Sequence, residues 1–357
     1  MAHPPEYQGV CCRATLGLQP SRNLQCYPPS PGGFLALDWN DHSPAAGRLA
    51  RRSFALHAML AGPGGLGGDR IQYRKLTCAA ISVDPGMQKR PGGKKLQGIE
   101  WAEDDENDRS ALGGRMLGDE TTMAQVHPKM LCDALWEEAS RPVEDGGVGS
   151  ELVGGEVIGA VHDEDEPAKL VGARLADGTQ IKADAILYAC GPWTAYGAVI
   201  TGVKYHSAVI PTPRVLTQSV FFSGCGDPEV YPRPDSTAYC TGFPDPAVKV
   251  TEKPGEEEVR PEAIRRIVDA VKSASGKDGA LSAPPKLEQA CYLPTTPDGL
   301  PMMGAIPGPG RKGQYVATGH GCWGILMGPA SGEAMAALIT TGMSPKVDLR
   351  PFDPARF

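Results

Sequence analysis

Between Gln314 and Gly342 the chain reads as a strand, a glycine-rich turn and a helix, and this succession restricts its fold more than any other stretch. The turn is Gly319-His320-Gly321-Cys322-Trp323-Gly324, three glycines in six residues. Glycine removes the Cβ atoms that would hold a flat ligand away from the backbone. The helix, expected from about Pro329 to Thr340 and closed by Gly342, points its N-terminus back at the turn. Its unpaired N–H groups and partial positive charge make that end a site for electron-rich ligands. An ordinary strand-to-helix turn has the same outline, so neighbouring residues must decide what it holds.

A second segment of this kind lies upstream. Ala185-Ile186-Leu187-Tyr188-Ala189-Cys190 is nearly all apolar, as a strand buried on both faces requires, and it stops at Gly191-Pro192-Trp193. Before it, residues 151–161 and 169–175 are rich in valine, leucine and isoleucine, and Asp177-Gly178 forms a hairpin turn into Gln180-Ile181. Several antiparallel strands are expected over 204–250, followed by a helix over 261–274. Residues 45–61 read as a helix burying Leu49, Ser53, Leu56 and Leu60, with Arg51 and Arg52 turned away. A further helix over 128–139 has Pro128 in its first turn and Leu131, Leu135 and Trp136 on one face. Residues 84–119 read as a loop-rich insertion, and prolines break any periodicity over 1–31.

Composition excludes several classes. The 357 residues are 41% hydrophobic and 22% charged, ordinary for a globular chain long enough for two domains. The 45 glycines and 34 prolines cluster in loops on that frame. A net charge of −7 offers no electrostatic reason to bind nucleic acid. No apolar run approaches the roughly 20 residues a membrane span requires, and residues 1–31 lack a signal-peptide pattern. The ten cysteines show no Cys-x-x-Cys or zinc-type spacing, so no metal is expected and the thiols read as buried and reduced. The acidic run 103–108 reads as a solvated loop. The default location is the cytoplasm, and oligomeric state is not legible.

Tyr292-Leu293-Pro294-Thr295-Thr296-Pro297-Asp298-Gly299-Leu300-Pro301 with Gly304, and Tyr315-Val316-Ala317-Thr318-Gly319-His320-Gly321, resemble segments of D-amino-acid-oxidase-type (DAO) flavoproteins. The Cys-Trp-Gly-Ile after the glycine-histidine pair and the ending Pro351–Phe357 resemble uncharacterised FAD-dependent oxidoreductases of fungi, plants and algae. The resemblance continues through 125–128, 177–193 and 32–39, with 49–57 behind it. It implies an α/β fold: a glutathione-reductase-like FAD-binding domain with an incomplete Rossmann unit, plus an antiparallel-sheet substrate domain. The implied division is an irregular segment 1–31, a discontinuous FAD-binding domain over 32–60, 119–200 and 291–357, and a substrate or cap domain over 61–118 and 201–290.

FAD is the implied cofactor and a small molecule the implied partner. The resemblance assigns cofactor contacts to Gly33, Val157, Gly191, Trp193 and the run Gly319, His320, Gly321, Cys322, Trp323, Gly324 and Ile325. For Val157, Gly191 and Trp193 the assignment concerns the backbone, and core packing is the alternative for the side chains. It implies oxidation of a C–N bond in a small amine or amino-acid-like substrate, with oxygen as acceptor. Candidates for the catalytic site are Arg233, Tyr239 and Trp323; for Arg233 a solvent-facing loop position is the alternative. Cys291 lies seven residues before Asp298, the spacing at which sarcosine-oxidase-like relatives attach flavin covalently, with an inert buried thiol as the alternative.

Two departures qualify this. Amino-acid oxidases place a carboxylate-binding arginine where this chain has Leu293. The family also opens with a strand, a Gly-x-Gly-x-x-Gly turn and a helix, which residues 1–31 do not contain. Two literal matches, at 62–67 and 308–313, lack the strand-before, helix-after context and read as decoys. The expectation is therefore a flavoenzyme lineage whose first exon lies upstream. The chain as it stands is expected to hold FAD weakly or not at all, and a non-catalytic remnant is the alternative.

Overall fold

The computed structural model describes residues 9–12, 32–83, 101, 111–142, 149–194, 199–223, 226–245, 248–275 and 279–357. In chain order the elements begin β1 (Gly9–Cys12), β2 (Phe34–Ala36), α1 (Pro44–Ala61), α2 (Gly68–Ile71), β3 (Arg74–Lys75), β4 (Thr77–Val83), β5 (Ala111–Gly118), β6 (Met123–Gln125) and α3 (Pro128–Ala139). They continue with β7 (Val157–His162), β8 (Leu170–Leu175), β9 (Gln180–Lys182), β10 (Ala185–Tyr188), β11 (Thr201–Pro211), β12 (Gln218–Ser223), β13 (Glu229–Arg233) and β14 (Thr237–Gly242). Then follow α4 (Pro261–Ala274), β15 (Leu287–Thr295), β16 (Met302–Ala305), β17 (Gln314–Thr318) and α5 (Gly324–Thr341).

The two apolar strands read from the sequence are neighbours. One sheet has the order β1-β10-β17-β16, with β1, β10 and β17 parallel and β16 antiparallel. Both glycine turns therefore leave the same, carboxyl edge of adjacent parallel strands, where open α/β sheets bind their ligands. β1 was not anticipated by the irregular reading of 1–31. Four residues carry too little pattern to stand out, and the neighbouring strand supplies the pairing. The remainder of 1–31, most of 84–110 and the acidic run 103–108 lie outside the described residues. The end of that expected insertion is strand β5, antiparallel to β4. Trp101 is buried and donates its indole N–H to the Gln218 carbonyl.

A seven-stranded sheet, β15-β11-β14-β13-β12-β4-β5, forms the second layer. Period-two alternation gives it unlike faces. Ala79, Ile81, Val220, Val230, Ala238, Cys240, Ala208 and Ile210 form a core with Ile264, Ile267 and Val271 of α4. On the opposite face the register aligns Phe221 with Glu229, Tyr231 with Tyr239, and Tyr239 with Val209. That face is aromatic and polar. β7-β8-β9 and β2-β6-β3 are small separate sheets, and Asp177-Gly178 turns β8 into β9 as expected.

The third layer packs α1 against α5 around Leu49, Phe54, Leu326, Met327, Ala330 and Met335. Here the structure corrects the sequence reading. α5 begins at Gly324, and Pro329 lies inside it. Proline cannot donate to the carbonyl four residues back and crowds that turn. His57 Nε2 lies 2.9 Å from the Ile325 carbonyl oxygen, in place of the missing N–H, and the Ala330 N–H donates to Ser53 Oγ at 3.1 Å. Two α1 side chains four residues apart thus carry the helix across its proline. The buried face of α1 is accordingly Leu49, Ala50, Ser53, Phe54 and His57, whereas Leu56 and Leu60 are only partly covered. In α3, Leu131 is buried but Leu135 is exposed. Residues 321–341 have a mean hydropathy of 1.2, enough by length and composition to cross a membrane, because glycines and alanines lengthen the apolar run. In this fold they form a helix packed on α1.

Candidate active site

Gly191 and Gly321 both adopt φ +56°, a conformation side chains rarely take, and a Cβ added at either would meet nothing within 4 Å. Open space beside a strained glycine is what a backbone-hugging ligand needs. The two turns are tied together: Thr318 Oγ1 and Thr194 Oγ1 both donate to the Gly191 carbonyl at 2.8 Å. α5 begins behind them with no side-chain cap and no acidic residue in its first turn. Its first N–H groups and positive dipole end face the same opening.

A cavity of about 270 Å³ opens at this end of α5, lined by His42, Ser43, Asp298, Leu300, Trp323 and Met327 among others. One wall is the 296–301 loop. Arg356 holds it, donating to both Asp298 oxygens and to the Leu300 and Pro301 carbonyls. Burial alone would raise the Asp298 carboxyl, but Arg356, the Leu300 N–H and the Thr296 hydroxyl hold it below its ordinary value. A larger cavity, about 400 Å³, lies along β8 and β9 near Lys169 and Asp184. It lies at the opposite end of β10 from the glycine turns, and no histidine or cysteine lines it.

The other expected site residues divide. The Gly33 conformation, φ +82°, serves packing, since a Cβ there would sit 2.0 Å from the Val126 carbonyl oxygen. Gly319 is likewise pressed on Thr296. The His320 side chain bonds Ser331 Oγ at 2.9 Å, and burial pushes it down to about 4, so the imidazole is neutral and braces the turn against α5. Trp193 donates to the Thr251 carbonyl and packs edge-on against Tyr292. Val157 belongs to β7 and packs with Leu170, Ala173 and Ile186. Cys322 is exposed on the turn and Ile325 is half-buried in the first turn of α5.

Arg233 is no surface-loop residue. It ends β13, is 3% exposed, and its guanidinium lies 5.6 Å from the Tyr239 ring centre. Tyr239 is buried on the same face of the sheet. Trp323 joins that face to the glycine turn: its ring meets Trp39 edge-on at 6.2 Å, and Trp39 packs on Phe221 at 5.0 Å. Phe34 completes the wall against Phe221 and Tyr231. Cys291 sits opposite Tyr205 in the register, and burial pushes its thiol up to about 12, against the thiolate form.

Sequence reasoning missed Gly32, against which Tyr231 packs so closely that a Cβ would approach its ring to 2.3 Å. It also missed Glu229, which accepts a hydrogen bond from the Tyr231 hydroxyl. The available signal was the alternation Glu229-x-Tyr231-x-Arg233, a polar stripe inside a strand.

A parallel sheet opening on two linked glycine turns, beside the aromatic and polar face of a large, mostly antiparallel sheet, is the setting of a ligand-binding α/β protein. Residues 30–338 match the family described as FAD dependent oxidoreductase (DAO), and the chain belongs to that family. A Schizosaccharomyces pombe protein named as an oxidoreductase, C1F5.03c, is 29% identical over 348 residues, covering 90% of this chain and 85% of the relative. TDA3 of Saccharomyces cerevisiae, also named as an oxidoreductase, is 28% identical over 70% of this chain and 53% of its own length. Among solved structures, glycine oxidase from Geobacillus kaustophilus superposes with a TM-score of 0.70 at 20% identity, covering 98% of this chain and 92% of that one. L-proline dehydrogenase from P. horikoshii gives 0.67 at 17% identity, covering 92% and 86%.

Proposed function

We propose that this FAD-dependent oxidoreductase holds FAD at the paired glycine turns and oxidises a C–N bond of a small amine or amino-acid-like substrate, with oxygen as the electron acceptor. The observation that carries the reading is the open space beside Gly191 and Gly321 at the uncapped N-terminus of α5. That cradle is the fit one expects for a flat ring system, since no side chain intrudes on it. FAD, when bound, supplies two-electron oxidation chemistry. The chain's own groups hold and tune. The first N–H groups of α5 favour electron-rich atoms placed before them, and His320, neutral and bonded to Ser331, fixes the turn without adding charge. Phe34, Trp39, Phe221, Tyr231 and Trp323 line the substrate side with aromatic rings.

The substrate class is supported by relatives that include proteins named glycine oxidase and fructosyl amine:oxygen oxidoreductase. Leu293, where the family resemblance puts an arginine, favours an amine over a simple amino acid. Oxygen uptake by FAD-loaded protein over a panel of primary and secondary amines tests the reading. Amine-dependent uptake supports it. A panel with no uptake, by protein that retains FAD, refutes oxygen as the acceptor, and failure of the same amines to bleach the flavin band without oxygen refutes the C–N assignment. The second reading, a remnant that binds FAD poorly, rests on one observation: no Gly-x-Gly-x-x-Gly pattern follows β1.

A further inference from the structure

The polar face of the seven-stranded sheet carries a carboxylate with no cationic partner among the described residues. Glu229 begins β13, directly across from Phe221 in β12. Among the described residues its side chain accepts a hydrogen bond from the Tyr231 hydroxyl, and no lysine, arginine or histidine pairs with it. The other charge that acts on it is Asp227, of the same sign. Arg233, the cation on this face of β13, is four residues away, about 13 Å along a strand, and sits beside Asp235 and His127.

Glu229 is half-buried; a charge partly withdrawn from water with no cationic partner among the described residues is costly, and such groups concentrate at functional sites. The surroundings of Glu229 say what partner would fit. Phe221 and Tyr231 flank it, and Phe34, Trp39 and Trp323 extend the same wall with part of each ring uncovered. Its field reaches Cys322 on the glycine turn and Tyr205 on β11. A carboxylate among partly open aromatic rings, facing the turn, is complementary to a cation that carries apolar substituents. It is anti-complementary to an anion.

We propose that Glu229 selects the substrate: it pairs with the ammonium group of an amine bearing an apolar or aromatic substituent, and disfavours molecules that bring a carboxylate to the same place. The proposal rests on the amine-oxidising reading above and goes beyond it by naming the charge and shape that are recognised. Burial raises the Glu229 carboxyl, with the Tyr231 hydrogen bond opposing, so a bound cation also relieves a strained ionisation. Glu229 acts here as a specificity residue, and no proton transfer is assigned to it.

The test is equilibrium binding, read by quenching of tryptophan fluorescence, with benzylammonium, benzyl alcohol and benzoate as probes on FAD-loaded protein. The wild type is expected to bind benzylammonium at least tenfold more tightly than benzyl alcohol, and benzoate more weakly than either. Glu229→Gln keeps shape and a hydrogen-bond partner for Tyr231. It is expected to lose that tenfold preference while binding benzyl alcohol within twofold of wild type. Glu229→Asp keeps the charge and is expected to retain most of the preference, an outcome that packing alone does not produce. Equal discrimination in wild type and Glu229→Gln overturns the proposal, as does tighter binding of benzoate. FAD content is measured separately by the visible flavin band. Protein that retains FAD but shows no ammonium preference sinks the selectivity claim alone. If no FAD is retained, the underlying reading fails, and the same three probes on FAD-free protein still decide the role of Glu229.

Discussion

Replacing His57 with glutamine should change how folding stability depends on pH. His57 is fully buried in α1, and burial lowers its pKa from 6.5 to about 4, against weaker raising contacts from the Ile325 and Leu326 backbone. No charged side chain contributes to that shift. Between pH 6.5 and 4 the unfolded chain therefore binds a proton that the folded chain refuses. Stability from the neutral imidazole is complete above pH 6.5 and is lost as pH falls towards 4, by about 1.4 kcal/mol per pH unit and about 3 kcal/mol in all. His127 and His320, also lowered to about 4 by burial first of all, act in the same sense. A glutamine at 57 keeps an N–H for the Ile325 carbonyl and does not titrate. His57→Gln should cost stability at pH 7 through imperfect packing, and its deficit should shrink by about 2 kcal/mol between pH 7 and pH 5. Urea unfolding of both proteins at pH 7, 6 and 5 measures this. Parallel stability–pH curves would refute the buried, neutral imidazole as the bridge across Pro329.

Three further perturbations probe the same architecture. Ser53→Ala strands the Ala330 N–H in the helix interface and should cost about 1–3 kcal/mol in urea unfolding. Gly321→Ala meets no neighbour, so unfolding of the FAD-free protein should register only backbone strain, about 1–2 kcal/mol. FAD affinity, measured by flavin fluorescence, should fall much further, at least tenfold, because the methyl enters the proposed cradle. Phe352→Ala removes a buried ring that packs near α5 and should cost about 3–5 kcal/mol, seen as a large drop in Tm.

Local rules made much of this fold legible. α3 and α4 start at Pro128 and Pro261, as proline in a first turn leads one to expect. β10 and β17 follow from apolar runs ending at glycines. The same proline rule failed at Pro329, because the groups that satisfy the broken helix, Ser53 and His57, lie some 270 residues earlier and become neighbours only when α1 and α5 pack. Arg233 was obscured by Pro232 and Pro234, which suggest a loop; the backbone of β13 is nevertheless paired through Pro232 to β14. The DAO family lineage, now carried by residues 30–338, was legible in the segments around Asp298 and Gly319. Glu229 was not, since its proposed role rests on having no cationic partner among the described residues, which only the folded sheet reveals.

Retention of FAD at the glycine turns is the property most directly open to measurement. Purified protein, mixed with FAD and passed through gel filtration, should elute with the visible flavin band at close to one flavin per chain. The Gly321→Ala protein, folded by the same urea criterion, should elute largely without it. A colourless wild-type peak, or equal retention by both proteins, would contradict the central claim.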